Sequence, residues 1–263
     1  MSSVTHFAQL RDSRTAYSIY GDGPPILLIH GAEATRSSFD ALAERLAHSM
    51  TVCSYDQRQC GDTESSTDPA SLLDLVDDAA QLAVELKLEK LTVLGTSFGG
   101  RLAQGLAIRH PELVDRLVLC NTWPLNVALE AINLAGLAKL QALRHGLPDT
   151  ARALAEAYYG CEHVDRHPEL VTRFAQRAGA GPGLRTTLAR STQPLPPEGI
   201  TVPTLLIVGN ADQVVPPRQM RSMHQQIAGS TLVEIEGAHH AITVERPVEV
   251  ARAIESFVLG EPL

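Results

Sequence analysis

Cysteine is scarce in this chain of 263 residues: Cys53, Cys60, Cys120 and Cys161 form no CxxC pair and no metal-ligand spacing. That excludes a disulfide framework or a zinc-finger type of site and predicts free thiols in a reducing compartment. Aromatic residues make up only 4%, with a single tryptophan, which gives no sign of a platform for extended polymers. Positive charge is also short. Lys and Arg number 22 against 30 Asp and Glu, for a formal net charge of -8, so no basic stripe is available to neutralise phosphates and no nucleic-acid partner is expected. Long apolar runs are missing too: the most apolar stretch, "NVALEAINLAGLAKLQAL", is broken by Glu130 and Lys139, which leaves no candidate membrane span. The first residues, "MSSVTHFAQLRDSRTAYSIYG", lack the charged start and apolar run of a signal peptide, and a cytoplasmic location is the expectation.

Hydrophobic residues make up 44% and charged residues 20%, enough for a well-buried core. Short aliphatic runs recur as "PILLIHG", "MTVCSYD", "KLTVLGT", "RLVLCNT", "PTLLIVGN" and "STLVEIEG". Their near-continuous apolarity is that of strands covered on both faces. Helical patterns lie between them: over 71–88, Leu75, Ala79, Leu82 and Leu86 share one face, and "SSFDALAERLAH" and "RPVEVARAIESFVLG" read alike. "VTHFAQL" and "TAYSIYG" alternate as an antiparallel edge hairpin would. Strand–helix alternation predicts an α/β fold with a mostly parallel, doubly wound sheet. The alternation stops between 125 and 199, where helix-like patterns are punctuated by "GLPD", "GAGPG" and "QPLPPEG". We therefore expect a core of 1–124 and 200–263 and an inserted helical cap, 125–199, over the C-terminal edge of the sheet, where ligands bind in such folds.

The stretch "VLGTSFGG", residues 93–100, places Ser97 between Gly95 and Gly99, after a strand pattern and before a helix pattern. A nucleophile on so tight a turn is held with its hydroxyl exposed, and small neighbours are needed because Cβ atoms there would collide with adjacent elements. The turn brings the amide of Phe98 and a helix N-terminus towards a developing oxyanion. Serine alone is a poor nucleophile and needs a base. The segment "EIEGAHHAITVERPVEV" offers His239 and His240, and "PTLLIVGNADQVVPP" offers Asp212 beyond a strand end as the acid that would fix the tautomer of a histidine.

Together these motifs resemble the α/β-hydrolase family. In its C-terminal pattern four residues separate the catalytic histidine from the glutamate of an "ERP"-like helix start. Here His240 precedes Glu245-Arg246-Pro247 at that spacing, with His239 in the usual glycine position. The resemblance thus implies a triad of Ser97, Asp212 and His240. Some members carry the acid after the preceding core strand, where this chain has Asn121, which bears no charge. The His-Gly pair of the family falls on His30-Gly31, so the backbone N–H of Ala32 joins that of Phe98 as an oxyanion-hole donor, with His30 structural. "YDQRQCGDTESS" matches the D-x-R-G-x-G-x-S pattern at Asp56, Arg58 and Gly61 but departs at Gln59 and Thr63; Asp56 and Arg58 are read as structural.

What the resemblance implies is a serine hydrolase that cleaves a carboxylic ester or lactone of a small molecule through an acyl-enzyme, with no metal or organic cofactor. Dehalogenases and epoxide hydrolases of this fold use an aspartate where Ser97 stands. C–C bond hydrolysis of a diketone-like substrate and a ligand receptor on a hydrolase scaffold are the alternatives, and a homo-oligomer is compatible with all three. Glu33 and Arg36, beside the oxyanion loop, either face substrate or are solvated loop charges. Trp123 lines a pocket or packs in the core, and Tyr158, with Tyr159, Arg173 and Phe174, is a further candidate for substrate contact.

Overall fold

The computed structural model describes residues 4–179 and 183–260; the middle of the "GAGPG" punctuation, 180–182, lies outside them. The strands are β1 (His6–Gln9), β2 (Ser13–Tyr20), β3 (Pro25–Ile29), β4 (Thr51–Tyr55), β5 (Glu64–Ser65), β6 (Leu91–Thr96), β7 (Val114–Cys120), β8 (Thr204–Gly209) and β9 (Thr231–Ile235). They form one sheet in the order β1-β2-β4-β3-β6-β7-β8-β9, with β5 paired to β2. The hairpin read at the start is there: β1 and β2 are antiparallel, with Phe7 opposite Ala16. From β4 onwards the ladder is parallel. β6 and β8 are buried at every position, as strands covered on both faces must be.

Helices α1 (Asp40–Leu46), α2 (Leu72–Glu85), α3 (Phe98–Arg109), α9 (Pro217–Gln226), α10 (Ile242–Glu245) and α11 (Pro247–Leu259) alternate with these strands. The segment "SSFDALAERLAH" is helical in two steps, a 3-10 turn at Arg36–Phe39 before α1. α2 begins where its sequence says it should. Ser71 Oγ accepts the Leu73 N–H at 3.2 Å and Asp74 Oδ2 accepts the Ser71 N–H at 3.1 Å, a reciprocal cap for two otherwise unpaired donors. Two apolar layers sandwich the sheet. One packs α2 and α3 against it through Leu75, Val76, Phe98, Leu102 and Leu106; the other packs α1 and α11 through Leu42, Leu46, Val250 and Ile254.

Between β7 and β8 the described residues hold helices only: α4 (Leu129–His145), α5 (Ala151–Tyr159), α6 (Cys161–Arg166), α7 (Glu169–Ala175) and α8 (Leu184–Leu188). α4 is interrupted at Asn133 (φ -155°, ψ 59°). That interruption releases the Asn133 amide, which donates to the carbonyls of Gln213 at 2.8 Å and Val214 at 2.9 Å. The helical segment is thereby pinned to the loop after β8, at the C-terminal edge of the sheet.

Candidate active site

Ser97 sits between β6 and α3 with φ 54° and ψ -121°, a region that costs a non-glycine residue on the order of 1–3 kcal/mol. The surroundings hold it there. Its N–H donates to Cys120 O at 3.0 Å, and its carbonyl accepts from Gly100 N at 3.0 Å and Thr122 Oγ1 at 2.6 Å. The flanking glycines are there for space. A Cβ on Gly99 would stand 2.1 Å from Ile29 O, and one on Gly95 would stand 2.3 Å from Gly99 O, so strand and helix could not close on each other. Phe98 opens α3, and its N–H therefore has no carbonyl within the helix to bond.

Three side chains that are far apart in sequence meet at this edge. His240 Nε2 lies 2.9 Å from Ser97 Oγ, and His240 Nδ1 lies 2.8 Å from Asp212 Oδ2. The second carboxylate oxygen, Oδ1, accepts the N–H groups of Val214 at 2.8 Å and Val215 at 3.0 Å, which fixes the carboxylate plane. With Oδ2 able only to accept, the ring proton belongs on Nδ1 and Nε2 is left as an acceptor for the serine hydroxyl. Asp212 and His240 are 5% and 6% exposed, so little water competes for these bonds, while Ser97 is half-buried. His239 points elsewhere: its Nδ1 is 3.2 Å from Glu245 Oε1, and its ring packs against Gly160, where a Cβ would be 2.4 Å away.

Two supporting residues carry little signal in the sequence. Asn121, fully buried at φ 43°, donates from Nδ2 to the carbonyls of His239 at 2.8 Å and His240 at 3.0 Å and accepts from Gly209 N at 2.9 Å. It ties the histidine loop to the end of β8, which leads into Asp212. A single asparagine after a strand gives no hint of this. Arg101, one turn into α3 and fully buried, donates to Leu125 O (2.7 Å) and Val127 O (3.5 Å) at the start of the helical segment. It also donates to Ala189 O (2.9 Å) and Ser191 O (2.8 Å) at its end. Burial pulls its pKa down from 12.5 to about 10.

The loop charges read from sequence take up internal partners. Arg36 is 9% exposed. Its guanidinium pairs with Asp56 and with Asp62 (2.8 Å), and its N–H donates to Asp56 Oδ1 at 2.8 Å. Arg36 is therefore neither solvated nor turned to a ligand. The fully buried Asp56 carboxylate needs a cation, and Arg36 supplies it. Arg58 pairs with Asp78 through Nε (2.5 Å) and Nη2 (2.8 Å), and the His30 ring contacts Gln57 N at 3.3 Å. Trp123 is 2% exposed beneath the Arg101 guanidinium, 5.0 Å from its ring centre, which is core packing rather than a pocket wall. Glu33 is held by Arg144 and Arg177. Tyr158 does reach the site, with its ring edge-on to His240 at 5.7 Å and its backbone carbonyl accepting the Ala241 N–H at 2.9 Å.

The comparisons with known proteins agree with this architecture. The sequence profile of the α/β hydrolase fold matches residues 24–247. The 3-oxoadipate enol-lactonase 2 of Acinetobacter baylyi is 26% identical over 269 aligned positions, covering 97% of this chain and 98% of its own. The crystal structure of the enol-lactonase from Burkholderia xenovorans LB400 superposes with a TM-score of 0.80 at 25% identity, over 97% of this chain and 100% of that one. A hydrolase from Pseudomonas aeruginosa PA01 gives 0.81 at 27%, over 99% and 100%. Among the described residues no helix is long and apolar enough to cross a membrane. With its mostly parallel sheet, its strained serine turn and a family match over most of its length, the chain belongs to the α/β-hydrolase fold family.

Proposed function

We propose that this protein is a serine hydrolase that cleaves a carboxylic ester or lactone of a small molecule through an acyl-enzyme. The observation that carries the reading is the unbroken chain of hydrogen bonds Ser97–His240–Asp212, at 2.9 and 2.8 Å, on a serine whose backbone is strained. In this reading His240 Nε2 takes the Ser97 proton as Oγ attacks the carbonyl carbon. The amides of Ala32 and Phe98 receive the oxyanion, and Asp212 stabilises the imidazolium. His240 then returns the proton to the leaving alkoxide. Water, deprotonated by the same nitrogen, releases the acid.

The helical segment 125–199 acts as a cap in this proposal, supported by Tyr158 against His240 and by Asn133 on the Asp212 loop. The lactonase names among the relatives favour a lactone or open ester of a small acid over a polymer. One panel of initial rates tests the reading: p-nitrophenyl esters of increasing acyl length, a set of lactones, and a vinylogous diketone. We expect turnover on esters or lactones within the range of about 1–1000 per second usual for enzymes. Preference for the diketone would transfer the assignment to C–C bond hydrolysis, and single-turnover product release slower by orders of magnitude would transfer it to a receptor.

A further inference from the structure

Most arginines of this protein that are paired with carboxylates have charge to match. Arg36 has Asp56 and Asp62, Arg58 has Asp78 and Asp12, and Arg221 has Glu234. Among the described residues the exception lies beside the candidate active site. Glu33, next after Ala32, has both carboxylate oxygens 3.0 Å from Arg144 Nη2, and its Oε2 is also 3.3 Å from Arg177 Nη1. Arg177 Nη2 donates to the Glu33 carbonyl at 3.0 Å. Two guanidinium groups thus share one carboxylate, and the cluster carries surplus positive charge on a chain whose formal net charge is -8.

That surplus is coupled to the reacting groups by two rings. Arg144 Nη2 donates to the Tyr158 hydroxyl at 2.6 Å, and Tyr158 is the ring that lies edge-on to His240. Arg177 lies 5.5 Å from the centre of the Phe174 ring, which stacks on Tyr158 at 5.9 Å. Neither arginine is sealed: the side chains of Arg144 and Arg177 are 34% and 36% exposed. Among the described residues Arg144 hydrogen-bonds through Nη2 alone, so its Nε–H and Nη1 protons make no bond to them. Both forks of a guanidinium, Nε with Nη2 and Nη1 with Nη2, include Nη2, so a carboxylate that takes the place of Glu33 on Arg144 meets two parallel N–H donors.

We propose that Arg144 and Arg177 form a subsite for a carboxylate carried by the substrate, so that the preferred ester or lactone is an anion of a dicarboxylic-acid type, with Glu33 as the internal carboxylate that holds the two arginines in place until the substrate arrives. The proposal rests on the hydrolase reading for the scissile bond but not for the binding step. The bland alternative is that Glu33 merely fastens the helical segment to the oxyanion loop.

A matched pair of substrates separates the two. Mono-p-nitrophenyl glutarate and its neutral methyl ester differ in one charge at nearly equal length. We expect kcat/KM to favour the anionic ester by ~10-fold or more, with the preference shrinking as salt is added. Arg177→Gln and Arg144→Gln should each cut the ratio mainly through KM, and Glu33→Gln, which removes the competing carboxylate, should raise it. In a Ser97→Ala background, calorimetric titration with monomethyl glutarate reads the subsite without turnover. If monomethyl glutarate binds there in an arginine-dependent way while neither ester is hydrolysed by wild type, the subsite stands and the hydrolase reading falls. Equal kcat/KM for the two esters, or arginine variants that lower both in the same proportion, overturn the subsite and leave the fastening role.

Discussion

Replacing Asp212 with asparagine changes one atom, and the geometry of the site dictates where that atom goes. Oδ1 of Asp212 sits under the Val214 and Val215 N–H groups, at 2.8 and 3.0 Å, while Oδ2 meets His240 Nδ1. An asparagine keeps its carbonyl oxygen under those two donors. The reverse orientation would set an NH2 group against both and forfeit two buried hydrogen bonds, at about 1–3 kcal/mol each. The NH2 group therefore faces Nδ1, which must now accept. The ring proton moves to Nε2, and Ser97 Oγ finds a donor where it needs an acceptor. The same exchange in a Ser-His-Asp triad lowers kcat by about 10⁴-fold, equivalent to about 5.4 kcal/mol of barrier. The assay is kcat on p-nitrophenyl acetate, with a thermal melt alongside; because the two loop bonds survive, the melt should barely move. A variant whose kcat falls by only ~10-fold, with its fold intact, would refute the argument from tautomer.

Three further outcomes follow from particular contacts. Arg101→Met leaves the carbonyls at both ends of the helical segment without their donor, and should cost about 1–3 kcal/mol for each buried acceptor left unpaired, read as a lower urea midpoint; a wild-type midpoint would contradict the clamp. Asn121→Ala releases the His239 and His240 carbonyls, and should lower kcat by roughly 10²-fold through misplacement of the imidazole with KM little changed; a loss confined to KM would argue against it. His163 is held down from 6.5 to about 4, chiefly by burial, and its Nδ1 has no hydrogen-bond partner among the described residues. The folded state therefore resists protonation that the unfolded chain accepts, so stability is complete above pH 6.5 and falls as pH drops towards 4. His163→Phe, which preserves the stack on Tyr159, should flatten the melting temperature across that window, and an unchanged slope would sink the assignment.

The elements legible in the sequence were those whose environment is uniform along the chain. β8 is buried at every residue and shows it as the unbroken aliphatic run Leu205 to Val208, and the serine turn announces itself because only glycine fits at 95 and 99. The meeting of Ser97, Asp212 and His240 is what the family resemblance implies, and the sheet accounts for it: each lies at a strand end or on the loop beyond, and parallel strands gather those ends at one edge. Side-chain partnerships were not legible. Arg36 looks like a loop charge until the fold buries Asp56 beside it. Arg101 looks like an ordinary helix surface residue until the segment after β7 wraps over α3. The interruption of α4 at Asn133 is likewise invisible locally, because it is stabilised by carbonyls about eighty positions away. Nothing in the sequence links Glu33 to Tyr158, whereas the structure joins them through Arg144.

The central claim is that Ser97 is an activated nucleophile. A fluorophosphonate probe bonds covalently to such a serine, and peptide mapping of the labelled protein reads the attachment point. The account predicts one modified residue, Ser97, with labelling abolished in Ser97→Ala and strongly slowed in His240→Ala but not in His239→Ala. Labelling of Ser97→Ala at the wild-type rate, or dependence on His239 in place of His240, would contradict it.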